Sequence, residues 1–119
     1  MLDHIGMAVS DIAKSKSFFQ SALAPLGYTV LMDVGEAVGL GKDRPDFWIG
    51  KSKSVTPNHV AFAAPNRATV KAFYDAAIAA GGRDNGAPGL RPQYHPNYYG
   101  AFVLDIDGNN IEAVCHQPE

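Results

Sequence analysis

Cysteine is almost missing from this chain. Cys115 is the only one in 119 residues, so no internal disulfide and no cysteine-based zinc finger can form, and such usage fits a reducing compartment. Charge of one sign is equally scarce. A formal net charge of −2 and the lack of any lysine or arginine run leave nothing to follow a phosphate backbone, which excludes nucleic acid and anionic membranes as partners. No segment approaches the roughly 20 apolar residues that span a bilayer. Met1-Leu2-Asp3-His4 also lacks the basic and then apolar pattern of a secretory leader, and the chain reads as cytoplasmic. The glycines are not followed by the Gly-Lys-Ser/Thr of a phosphate loop, and Asp105, Asp107 and Asn109 lack the spacing of a calcium loop.

What is present is an apolar fraction of 46% with 18% charged residues, a balance that supports one globular domain over residues 1–119. The chain also repeats itself. Asp3-His4-Ile5-Gly6-Met7-Ala8 lines up without gaps on Asn58-His59-Val60-Ala61-Phe62-Ala63, and Ala13, Lys16, Phe18, Ala22, Ala24 and Gly27 fall on Ala68, Lys71, Phe73, Ala77, Ala79 and Gly82. The repeat carries His4 onto His59 and divides the chain into modules of 1–55 and 56–119.

Each module reads as strand, helix, strands. In the first, Asp3 to Val9 is strand-length and largely apolar, and Ser10-Asp11 offers helix-cap chemistry. Phe18, Phe19, Ala22 and Leu23 then recur at helical spacing until Pro25 and Gly27 end the helix. In the second, Asn66 is the cap, Val70, Phe73, Tyr74, Ala77 and Ile78 form the apolar stripe, and Gly81-Gly82 stops it. Strands are expected over Tyr28 to Val34, Ala37 to Leu40, Asp46 to Gly50, Tyr99 to Asp105 and Asn110 to His116. The last two are joined by the turn signal Asp107-Gly108. Residues 86–96 receive no element.

Alternation along the last strand turns Asn110, Glu112, Val114 and His116 to one face and Ile111, Ala113 and Cys115 to the other. A carboxylate within Ile111-Glu112-Ala113-Val114 needs a partner if it is buried, and a cation would supply one. His4 and His59, at equivalent places in a duplicated fold, can converge with Glu112 into two imidazoles and a carboxylate. That set is the facial triad of open-sided divalent metal sites. Cys115, on the opposite face, reads as a packed residue.

Asp3-His4-Ile5-Gly6, Asn58-His59-Val60-Ala61-Phe62, and the run from Phe102 to Glu112, Phe-Val-Leu-Asp-Ile-Asp-Gly-Asn-Asn-Ile-Glu, together resemble the vicinal oxygen chelate superfamily. This superfamily includes glyoxalase I, extradiol dioxygenases, fosfomycin-resistance transferases and bleomycin-resistance proteins. The resemblance spans nearly the whole chain. It implies an α+β fold of two tandem βαβββ modules, whose curved mixed sheets form a cleft. It also implies metal ligands on the first, fourth, fifth and eighth strands: His4, His59 and Glu112 match three of these, and Trp48 falls at the fourth unless a two-residue shift brings Asp46 there.

By the same resemblance the chain would be a metal-dependent enzyme for a small oxygenated organic substrate that chelates a divalent ion, whether Fe, Mn, Zn or Ni. The chemistry would be that of a glyoxalase-like lyase, an extradiol dioxygenase or a fosfomycin-resistance transferase. The alternative is a non-catalytic binding protein of the bleomycin-resistance type. Members of this length often work as homodimers, with modules swapped or unswapped between copies. The stretch Leu90 to Tyr99, braced by Pro92 and Pro96, reads as a substrate loop. It offers His95, Tyr98 and Tyr99 as candidate proton-handling residues. Trp48, Phe47 and Phe62 are expected to line the cleft.

Overall fold

The two helices begin where a side chain can cap them. Asp11 accepts the Lys14 N–H at 3.0 Å at the start of α1 (Ile12–Ala22), and Asn66 accepts the Thr69 N–H at 2.8 Å at the start of α2 (Arg67–Ala79). Each cap satisfies a donor the helix leaves free. The first helix ends in a 3-10 turn over Ala24–Leu26 and Gly27, whose φ of 84° suits glycine.

The computed structural model describes residues 1–119. Around α1 lie β1 (Ile5–Val9), β2 (Thr29–Asp33), β3 (Ala37–Gly41) and β4 (Pro45–Lys51); around α2 lie β5 (His59–Ala63), β6 (Arg83–Leu90), β7 (Tyr99–Leu104) and β8 (Asn110–Cys115). The strands form two mixed sheets of four, ordered β1-β4-β3-β2 and β5-β8-β7-β6, with the first pair of each parallel. The fold is therefore two βαβββ modules.

One face of each sheet carries the core. Met7, Val9, Phe47 and Ile49 from the first sheet, and Phe62, Ala101, Val103, Ile111, Ala113 and Cys115 from the second, join Phe18, Phe19, Val70 and Phe73 of the helices in one cluster of 21 buried residues. Phe19, Phe47 and Phe62 link the modules edge to face, at centroid distances of 5.1 and 5.2 Å. Phe47 and Phe62 pack in this core and also line a cavity between the modules, while strand alternation turns both away from the sheet face that carries Glu112. Gly82 is required where α2 returns to the sheet, since a Cβ there would lie 2.3 Å from Val103 Cγ1.

Residues 86–96 begin as strand. The β6 pairing is interrupted on both sides of Gly86, whose φ is 147°, and these bulges erase the alternation by which a strand is recognised. At the far end of the molecule Ser10, just after β1, donates its N–H at 3.0 Å and its hydroxyl at 2.5 Å to Asp107, in the β7–β8 turn. This latch ties the modules together.

Phe47 touches aromatic rings from both modules, so Phe47→Ala is expected to lower unfolding free energy by about 3–5 kcal/mol. Urea denaturation followed by circular dichroism checks this; a loss under about 1 kcal/mol would mean that the two modules do not share a core.

Candidate active site on the second sheet

His59 is brought beside Glu112 by the way the last hairpin grips the start of β5. Asp105, buried in the turn, accepts the N–H groups of Asp107 and Asn109 and the Asn109 side-chain amide, at 2.8–2.9 Å. Asn109 Oδ1 in turn accepts the Asn58 N–H at 2.8 Å, while the Asn110 N–H donates to the Asn58 carbonyl at 2.8 Å. Burial pushes the Asp105 carboxyl up, and its hydrogen bonds with Asn109 and Asp107 work against that. With Asn58 fixed, β5 pairs in parallel with β8 so that Ala61 lies opposite Glu112, and His59 stands on the same face, two residues earlier.

That face points away from the helices. Glu112 is 1% exposed, yet both its oxygens have partners: the His59 Nε2–H donates to Oε1 at 2.8 Å, and the Tyr98 hydroxyl donates to Oε2. Gly100 makes room for this, because a Cβ there would press to 3.2 Å from the Tyr98 ring and 3.4 Å from Oε2. Burial first, then the bond to the Glu112 carboxylate and its charge, push the Tyr98 phenol well above the ordinary tyrosine value. Tyr98 is thus a protonated donor at neutral pH. Beside the pair, Asn85, Gly86, Arg91, Tyr94, Phe102 and Asn110 line a cavity of about 280 Å³. Phe102 lies opposite Glu112 on β7, and Asn110 Oδ1 is buried without a hydrogen-bond partner.

The other residues singled out in the sequence fall in different places. His4 is 59% exposed, bonded through Nδ1 to Asp3 at 2.7 Å, and makes no contact with His59 or Glu112; no three His, Cys, Asp or Glu side chains come together as a metal cluster within one chain. His95 accepts the Asn97 N–H at Nδ1 at 3.1 Å, so its proton sits on Nε2, which faces His116 Nδ1 at 2.8 Å in a stacked pair. This holds the loop near Tyr98, since both imidazoles also pack edge-on against the Tyr98 ring. Tyr99 points to the helix side, under the Arg67 guanidinium at 5.2 Å, and does not reach Glu112. Arg91 is occupied by the Ala87 carbonyl at 2.7 Å and the Phe102 ring at 5.4 Å.

Register gives the residue of β4 that is equivalent to Glu112. Trp48 pairs with Gly6 as Glu112 pairs with Ala61, the repeat partner of Gly6, so an indole stands where the second module has its carboxylate. Gly39 permits this: a Cβ there would lie 2.9 Å from the indole. Asp46 is taken up by the Tyr28 hydroxyl at 3.0 Å. Alternation along the last strand already places Asn110 on the Glu112 face, whereas Phe102 and Gly100 are site residues that only the pairing register across β7 and β8 reveals.

The donor chemistry of His59 and Glu112 suits a divalent transition metal, an imidazole nitrogen and a carboxylate oxygen already converging. They provide two ligands, and a single chain does not add the third.

No protein-family model matches this chain, and no curated protein matches its sequence. Solved structures do match. A glyoxalase/bleomycin resistance protein from Albidiferax ferrireducens is 27% identical with a TM-score of 0.85, over 97% of this chain and 98% of that one. A glyoxalase/bleomycin resistance protein/dioxygenase family enzyme from Burkholderia phytofirmans is 17% identical with a TM-score of 0.76, over 97% and 98%. The fosfomycin resistance protein FosX from Listeria monocytogenes is 17% identical with a TM-score of 0.75, over 98% and 93%. The structural neighbours are thus members of the vicinal oxygen chelate superfamily, as the sequence motifs suggested.

Because the folded state keeps the Tyr98 and Tyr28 protons longer than the unfolded chain does, stability is fully present below pH of about 10 and falls as pH rises above it. For Tyr28, which burial and the bond to Asp46 push up to about 12, the loss extends to that value; for Tyr98 it extends further. Tyr98→Phe is expected to flatten this decline in chemical denaturation. The same variant costs about 1–3 kcal/mol at neutral pH by leaving a buried carboxylate oxygen without its donor. An unchanged alkaline slope would show that Tyr98 is not the protonated partner of Glu112.

Proposed function

We propose that the chain is a metal-dependent enzyme of the glyoxalase/dioxygenase type, acting on a small oxygenated organic molecule held against the second sheet. The observation that carries this reading is the convergence of His59 Nε2 and Glu112 Oε1 on a sheet face turned away from the helices, beside a cavity. His59 and Glu112 would hold the divalent ion. His4, exposed and without contact to that pair in its own chain, would come from a second copy, making the working unit a homodimer. When bound, the ion supplies Lewis acidity and a template for a chelating substrate.

The chain's own residues do the rest. Tyr98 holds a proton at its phenol oxygen and can redirect it from Glu112 to a substrate oxygen. Phe102 and Tyr94 give the substrate body an apolar wall, and the unpartnered Asn110 Oδ1 accepts a hydroxyl or N–H from it. His95, locked to His116 with its proton on Nε2, positions the Tyr98 ring and takes no proton from substrate.

A specific observation favours a second reading. Glu112 already accepts hydrogen bonds from the chain's own His59 and Tyr98, so its burial does not demand a cation, and a non-catalytic binding protein of the bleomycin-resistance kind would have the same contacts.

Elemental analysis of untagged protein reconstituted with Fe, Mn, Zn or Ni separates the two. The expected result is near-stoichiometric metal in the wild type, lost in His4→Ala, His59→Ala and Glu112→Ala. Mixed dimers of His4→Ala with Glu112→Ala should recover one site per dimer, since one pairing of modules keeps all three ligands. Protein that takes up none of the four ions belongs to the binding-protein reading. Metal retained by His4→Ala would remove the second copy from the site.

A further inference from the structure

We propose that the seam between the two modules is a second small-molecule site, separate from Glu112, which takes an organic amine with an apolar body. Between β1 and β5 lies a cavity of about 520 Å³, within the size range of small-molecule sites. Its apolar lining comes from both modules: Ile5 and Phe47 from the first, Val60 and Phe62 from the second, with the Tyr28 ring edge-on to Phe62 at 5.4 Å.

Asp46 supplies the polar feature. Its Oδ2 accepts the Tyr28 hydroxyl at 3.0 Å, whereas Oδ1 is buried and has no hydrogen-bond partner. A buried oxygen left in this condition calls for a donor. The only group bonded to the carboxylate is a neutral phenol, so an ammonium fits better than a neutral donor: it supplies both the hydrogen bond and the opposite charge. The aromatic lining favours a cation as well. Lys42 and Arg44 stand at the rim beside Asp43 and Asp3, and Arg44 is bonded to Asp3 at 3.1 Å; the rim charges balance, leaving Asp46 to select. An organic acid would meet an uncompensated carboxylate.

The cavity also has a structural cause. At the opposite end of the seam Ser10 closes onto Asp107 through its N–H and hydroxyl. Its repeat counterpart is Pro65, which has neither group to donate. The seam is latched at one end and left open at the other.

The test is a titration of the metal-free wild-type protein with 2-phenylethylamine, benzylamine and cyclohexylamine, and with phenylacetate as the same kind of body with opposite charge, followed by amide NMR shifts. At least one amine is expected to bind saturably in the millimolar range or below, moving the signals of Tyr28, Phe47, Ala61 and Phe62, and about tenfold more tightly than phenylacetate. Asp46→Asn, which keeps the side-chain shape, should weaken it about tenfold. Ala63→Leu, which fills the cavity from an exposed position, should abolish it. Glu112→Gln should leave it unchanged; His4, which also lines this cavity, is the one residue shared with the proposed metal ligands, and the titration is made without metal so that the two readings fail separately. Failure of all three amines to saturate, equal binding of amine and acid, or shifts centred on Glu112 would each overturn the proposal.

Discussion

A carboxylate buried on the outer face of a sheet is the constraint on which the second module depends. Glu112, at 1% exposure, needs both oxygens met, because a polar group removed from water without partners is costly on the scale of a domain's whole stability. The module answers with one donor from a neighbouring strand, His59, and one from the end of a loop, Tyr98. Much of the surrounding geometry serves these two contacts: the turn built on Asp105 fixes Asn58 and hence His59, Gly100 clears space for the phenol, and the His95–His116 pair steadies the ring that carries it.

The first module has the same topology and a different chemistry. Trp48 takes the place of Glu112, and Asp46 turns instead to Tyr28. Duplication thus kept the backbone and let the two sheet faces diverge, one toward a polar centre and the other toward an indole lying over Gly39. The shared core joins the two halves, with Phe19, Phe47 and Phe62 forming one aromatic chain across them.

Much of this was legible in the sequence. The repeat from Asp3 and Asn58 yields the modules, helical spacing yields both helices and their caps, and alternation along β8 puts Glu112 opposite the core-facing Ile111, Ala113 and Cys115. The failures have physical causes. β6 is bulged at Gly86 and loses the period of two. Tyr98 and Tyr99 are adjacent, and only the pairing of Tyr99 with Cys115 shows which one turns inward. Phe47 and Phe62 carry the mark of any apolar strand, which cannot separate a cleft wall from a core. The seam cavity arises from the docking of two modules, and no local pattern encodes it.

The parallel pairings have a kinetic consequence. β5 meets β8 by placing Val60 against Ile111, across the whole of α2 and the β6–β7 hairpin, whereas β7 and β8 need only a short turn to find each other. Closing the longer loop costs chain entropy before any contact offsets it. The hairpin and α2 are therefore expected to form early and β5 to dock late, so that His59 reaches Glu112 only as the module closes. Until then the carboxylate remains in water, where it is stable alone, and the costly burial coincides with the arrival of the imidazole that makes it tolerable.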